Sequence, residues 1–209
     1  MDKLKNNAYY LFDELGKMFP DAKCELEFKN PFELLVSVAL SAQTTDKRVN
    51  IVTKELFYKY PDAFSLMNAR DEDVLNIIKS IGLAKTKTKN IINLSKVLVE
   101  KFNGLVPKTI EELTILPGVG RKTASVVLSV GFNIPAIAVD THVSRVSNRL
   151  GLTNSLDVLQ IEKDLKEIYD INDWALAHHR LLFFGRYFCK AIKPNCAECK
   201  FKNMCVSYK

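Results

Sequence analysis

Leu116-Pro117-Gly118-Val119-Gly120-Arg121-Lys122-Thr123-Ala124 is the stretch from which the rest of the chain is best read. Proline fixes one φ, and the two glycines permit positive φ and close backbone approach, so the segment predicts a tight connection between two helices over about 109–131. The second helix then starts near Gly120, with its unbonded N–H groups outward and the positive end of its dipole favouring an anion. With no side chain in the way, a phosphate can come within hydrogen-bonding distance of the Gly118 and Gly120 amides. A plain αα turn is the competing reading, since proline and glycine are common loop punctuation. Lys122 falls in the first turn of the second helix. A cation is disfavoured there, and a neutral amine is what nucleophilic attack requires. A surface lysine gripping phosphate is the alternative.

Outward from the hairpin, the patterning is helical almost throughout. Asn30-Pro31 reads as an N-cap with proline at the first helical position, opening Phe32–Gln43. Asp46 is expected to cap a second helix, in which Val49, Val52, Leu56 and Phe57 recur at three- and four-residue spacing. Shorter pieces start at Pro61-Asp62 and Asp71, and a long amphipathic helix, Lys85–Phe102, ends at Asn103-Gly104. Further helices are expected at 109–115, 120–131, 141–150, 155–169 and 173–189. No stretch alternates with period two for long enough to argue a sheet, and Ala136–Val139 is the one short run with extended character. The fold class is all-α.

The chain has 209 residues, 47% hydrophobic and 26% charged, which excludes disorder and suffices for a sizeable core. Its apolar runs, Leu34–Ala42 and Thr123–Phe132, are too short for a membrane-spanning helix. The opening Met1-Asp2-Lys3-Leu4-Lys5-Asn6-Asn7 is too polar for a signal peptide, so a cytoplasmic protein is expected. Thirty Lys and Arg against 24 Asp and Glu give a net charge of +6, compatible with a polyanionic partner but not specific for one.

Two further features carry chemistry. Asp140 ends the apolar run Ile137-Ala138-Val139 and opens Thr141-His142-Val143; aspartate is a preferred N-cap, and a cap residue is held rigidly. His142 reads as support for this turn. Four of the five cysteines crowd into Cys189-x6-Cys196-x2-Cys199-x5-Cys205. In a reducing compartment that arrangement points to metal binding, and four thiolates suit structural zinc or an iron–sulfur cubane equally. Cys24 stands apart and reads as a buried structural thiol.

These segments resemble the endonuclease III family of the helix-hairpin-helix DNA glycosylase superfamily, from about residue 8 to 206. The hairpin string, the Val-Asp-Thr-His block at 139–142 and the cysteine spacing carry the resemblance. So do Pro31–Leu35, Leu40–Asp46, Ile81-Gly82-Leu83 and Phe184-Gly185-Arg186-Tyr187. The resemblance implies a two-lobed helical protein: a six-helix domain (23–134) containing the hairpin, and a cluster domain (1–22 plus 135–209) with a C-terminal [4Fe-4S] loop held by Cys189, Cys196, Cys199 and Cys205. It implies Lys122 and Asp140 as the catalytic pair, 18 residues apart, in a glycosylase that removes oxidised pyrimidines and cleaves the abasic site by β-elimination. It further implies that double-stranded DNA containing damaged bases or abasic sites is met by Gly118, Gly120 and Arg121 of the hairpin. Gln43 would fill the gap left by a flipped nucleotide, Leu83 would act as a wedge, and Lys190 and Lys193 of the cluster loop would meet phosphate. Relatives often carry a further basic residue where this chain has Ile192, which weakens the loop's phosphate role. A monomer associated with a bacterial nucleoid is expected.

Two other readings stand beside this one. Adenine-specific mismatch glycosylases resemble the chain too, but they carry a catalytic glutamate where it has Val38, generally lack the hairpin lysine, and have a C-terminal domain for which the four residues after Cys205 leave no room. A non-catalytic iron–sulfur DNA-binding module would account for charge, hairpin and cysteines, yet would have no use for Lys122 paired with Asp140.

Overall fold

The structure, a computed structural model, describes residues 2–208. Among these, regular structure is helical and no strand occurs. In chain order the helices are α1 (Asp2–Met18), α2 (Pro31–Ser41), α3 (Asp46–Lys59), α4 (Ala63–Met67), α5 (Asp71–Ile78), α6 (Ala84–Phe102), α7 (Ile110–Thr114), α8 (Arg121–Val126), α9 (Thr141–Arg149), α10 (Val158–Ile168) and α11 (Trp174–Phe183). Five-residue π segments, Val127–Gly131 and Phe184–Phe188, continue α8 and α11, so the two helices expected over 120–131 and 173–189 each change register midway. Ala136–Val139 is buried but forms no strand.

Local chemistry sets most of the helix ends. Asn30 Oδ1 accepts from the Glu33 amide at 2.9 Å, with Pro31 at the first helical position of α2. The cap of α3 is Thr45, not Asp46: Thr45 Oγ1 accepts from Arg48 N, and Asp46 lies in the first turn, where its charge complements the dipole. Asp62 and Ser65 form a reciprocal capping box on α4. At the far end of α6, Asn103 takes a left-handed φ of 50°, and the Gly104 amide reaches back to Leu98 O at 2.9 Å.

The contacts divide the chain into two compact units, with breaks after Cys24 and after Ile134. The central unit holds α2 to α8, of which α4 and α7 are only five residues long. In it α6 packs on α2, α4 and α5, and α2 packs on α3, α8 and the π segment after α8. Leu34, Leu35, Leu40, Leu56, Leu66, Ile78, Ile91 and Leu94 are fully enclosed there. The other unit is discontinuous in sequence. Its core joins Ala8, Leu11 and Leu15 of α1 to Val143 and Val146 of α9, Ile161 and Leu165 of α10, and Leu181, Phe184 and Phe201 near the C-terminus. Cys24 is half-buried, so it is more accessible than its isolation among the cysteines suggested. No helix among the described residues is long and apolar enough to cross a membrane.

Candidate nucleic-acid and catalytic site

The hairpin is built as a turn locked to α6. Leu116 and Val119 are buried, the Val119 amide donates to Leu116 O at 3.0 Å, and α7 packs on α8. Gly118 has φ +78°, and a Cβ there would lie 2.8 Å from Asn90 Nδ2 on α6. Glycine is required by conformation and by space. Gly120 is different: its φ is −93°, it is exposed, and a Cβ would meet nothing within 4 Å. Its missing side chain leaves the start of α8 open from the outside. Arg121 and Lys122 are both exposed in the first turn of α8, which carries no acidic residue.

Gln43 and Leu83 lie on two touching loops of the same unit. Both are exposed, and both are left-handed, with φ 55° and 58°. A Cβ at Gly82 would sit 3.4 Å from Gln43 O, so the two turns are in near contact. Among the described residues, five other than glycine have positive φ: Gln43, Leu83, Asn103, Asn133 and Lys193. Asparagine tolerates this region. The other three are residues for which the family resemblance implies contact with DNA.

Asp140 belongs to the discontinuous unit, where it caps α9. Its Oδ1 accepts from both the His142 and Val143 amides at 2.8 Å, and the extended residues before it are buried. The carboxylate is therefore fixed at the end of a rigid rope. His142 Nδ1 lies 3.3 Å from Arg145 Nη2. Arg145 donates in turn to Thr141 O, Gly185 O (2.7 Å) and Cys189 O. The π register explains the second of these bonds. The Cys189 amide donates to Phe184 O at 2.7 Å rather than to Gly185, whose carbonyl accepts from Arg145. One arginine thus ties the Asp140 turn to the first cysteine. Nothing in sequence patterning singles it out, because an arginine within an amphipathic helix reads as surface.

The four C-terminal cysteines are half-buried and line one cavity of about 120 Å³ with Arg149 and Phe184. Arg149 Nη1 donates to Cys189 Sγ at 3.3 Å and to Lys190 O at 2.9 Å, and Nη2 to Ala191 O, anchoring the loop that presents exposed Lys190 and Lys193. Burial pushes the Cys199 thiol up, a hydrogen bond from the Phe201 backbone opposes this, and the other three cysteines add to the rise. Among the described residues no group of three or more His, Cys, Asp or Glu side chains could hold a metal ion. The thiols surround a space instead. Its volume is several times the roughly 10–15 Å³ that one water-sized sphere needs.

The class of protein follows from the family that this fold and hairpin match. The description of the HhH-GPD superfamily of base excision DNA repair proteins matches residues 36–170. Endonuclease III of Bacillus subtilis (strain 168) is 54% identical over 197 residues, spanning 94% of this chain and 90% of that protein. Endonuclease III of Thermotoga maritima is 42% identical over 196 residues, 94% and 91% of the two chains. A solved structure of a trapped endonuclease III–DNA covalent intermediate matches with a TM-score of 0.93 at 51% identity, over 97% of this chain and 95% of that one. A thermostable thymine-DNA glycosylase, at 21% identity and a TM-score of 0.87, shares the fold. The chain belongs to the endonuclease III family.

Proposed function

We propose that the chain is a bifunctional DNA glycosylase and abasic-site lyase that removes oxidised pyrimidines from duplex DNA, acting as a monomer in the cytoplasm. The observation that carries this reading is an exposed lysine, Lys122, in the first turn of a helix whose preceding glycine turn leaves its amides open to a phosphate. The trapped covalent intermediate of an endonuclease III supports a protein nucleophile in such a fold. Val38, where the adenine-specific enzymes carry a glutamate, is a buried apolar residue of α2.

In the proposed reaction the Lys122 amine, in its neutral form, attacks C1′ of the flipped nucleotide. The glycosidic bond breaks with its electron pair leaving on the base, which takes up a proton. Asp140 stabilises the cationic sugar and accepts the proton that the attacking nitrogen gives up. Ring opening gives a Schiff base between Nζ and C1′; loss of a C2′ proton and departure of the 3′ phosphate then cut the strand. Gln43 and Leu83 enter the duplex to fill the gap and split the stack, which lowers the cost of holding the nucleotide outside. The hairpin glycine amides, Arg121, Lys190 and Lys193 bind phosphates without reading sequence.

The cysteine set belongs to the same proposal: Cys189, Cys196, Cys199 and Cys205 would hold a [4Fe-4S] cluster, whose bonds to four thiolates would tie the C-terminal loop in place. The shared cavity and the sulfur-rich donor set support this assignment. The function is tested by incubating the protein with a duplex containing one thymine glycol and following base release and strand cleavage separately. Lys122→Gln is expected to lose both by a factor of at least about a thousand while binding the duplex with nearly unchanged affinity. Retention of base release in this variant would contradict the assignment.

A further inference from the structure

Lys87 sits in a lysine-rich stretch of α6 between exposed Lys85 and Lys89, yet only 5% of its surface is exposed. Its Nζ donates to Ala42 O at 2.6 Å and to Thr44 Oγ1 at 3.0 Å. These two acceptors flank Gln43 in the chain. The backbone amide of the same residue donates to Leu83 O at 3.0 Å. That bond is the first i→i−4 bond of α6, so Lys87 stands one turn beyond Leu83, and its ammonium group reaches from there to the residues on either side of Gln43.

Burying an ammonium group against neutral oxygens is costly, and burial does lower the Lys87 pKa from the usual lysine range. What offsets the cost is the end of α2. The last turn of that helix carries no basic residue, and Ala42, its C-cap, lies at the negative end of the dipole, so the ammonium group supplies the missing cation from across the unit. An apolar side chain would fill the same space without desolvating a charge, but it would leave Ala42 O without this donor and release the Gln43 turn from α6. One turn further along α6, Asn90 abuts Gly118 of the hairpin. The same helix thus sets the register of the inserting turns and of the phosphate-binding turn.

We propose that Lys87 is a positioning residue for nucleotide flipping: it latches the Gln43 turn to the Leu83 turn so that the two side chains enter the duplex as one rigid pair. The proposal rests on the reading of Gln43 and Leu83 as the inserting residues, and its test separates the two.

The full-length protein is mixed with a duplex carrying a tetrahydrofuran abasic analogue opposite 2-aminopurine, whose fluorescence rises when the base is unstacked. Lys87→Met is expected to slow this rise about ten-fold, with affinity for an undamaged duplex changed less than about two-fold. The pair Gln43→Ala/Leu83→Ala is expected to slow the rise by at least about ten-fold too, and adding Lys87→Met to that pair to slow it less than about two-fold further, because latch and latched residues act as a unit. A slowed rise in the Gln43→Ala/Leu83→Ala protein with a normal rise in folded Lys87→Met would overturn the latch alone. A normal rise in Gln43→Ala/Leu83→Ala would overturn the insertion reading and the latch with it. If Lys87→Met does not fold, Thr44→Val decides: removing one of the two bonds is expected to slow the rise about two- to three-fold, and an unchanged rise would overturn the proposal.

Discussion

Glycine at 118 and glycine at 120 look alike in the sequence, yet the structure gives them separate tasks. Gly118 combines positive φ with contact against Asn90, so Gly118→Ala is expected to destabilise the protein by about 1–3 kcal/mol, read by urea unfolding. Gly120 has extended backbone and open space, so Gly120→Ala is expected to shift stability by less than about 0.5 kcal/mol. Its methyl group would instead stand between a phosphate and the α8 amides, and affinity for duplex DNA, read by fluorescence anisotropy, is expected to fall several-fold with little change in stability. Equal effects of the two substitutions on stability would contradict this division. The glycine turn, the place of Lys122 in the first turn of α8 and the clustering of four cysteines were legible because they lie in local spacing. The left-handed φ of Gln43 and Leu83 was not, because strain at a residue other than glycine is imposed by packing between segments distant in sequence. Lys87 was hidden for a related reason: its neighbours make it look solvated.

Caps are short-range devices, which is why the starts of α2, α4 and α9 were visible in the sequence; the Thr45–Asp46 shift shows the limit, since adjacent residues compete for one role. The π segments were not visible. Their register changes answer to what the helix must reach, such as Cys189 after α11, and leave no local signature. At α9 the cap and the chemistry fall on one side chain and can be separated. Asparagine caps about as well as aspartate, so Asp140→Asn is expected to leave thermal stability nearly unchanged while base release falls by at least about ten-fold. Asp140→Ala removes the acceptor for the His142 and Val143 amides and is expected to cost about 0.5–2 kcal/mol in addition. A stable Asp140→Asn protein with full base release would leave Asp140 as a cap only.

Over the whole molecule, the two units divide the proposed machinery. The central unit carries the hairpin, Lys122, Gln43 and Leu83, and the discontinuous one carries Asp140, the cysteines and the cluster-loop lysines. Pairing α1 with the C-terminal half rests on apolar contacts between Leu11 or Leu15 and residues more than a hundred positions away, which periodicity alone cannot assign. The resemblance to the family supplied it as an expectation. If the discontinuous unit holds a cubane cluster, the purified protein is expected to contain about four irons and four acid-labile sulfides per chain. About one zinc and no sulfide would assign the cysteines to a structural zinc site and leave the catalytic proposal standing.

The most direct test of the central claim is borohydride trapping on a thymine-glycol duplex, with the adduct resolved on a denaturing gel. A covalent protein–DNA adduct that maps to Lys122 and disappears in Lys122→Gln is the predicted result. Base release and strand cleavage with no trapped adduct, or an adduct that persists in Lys122→Gln, would contradict Schiff-base chemistry at this lysine.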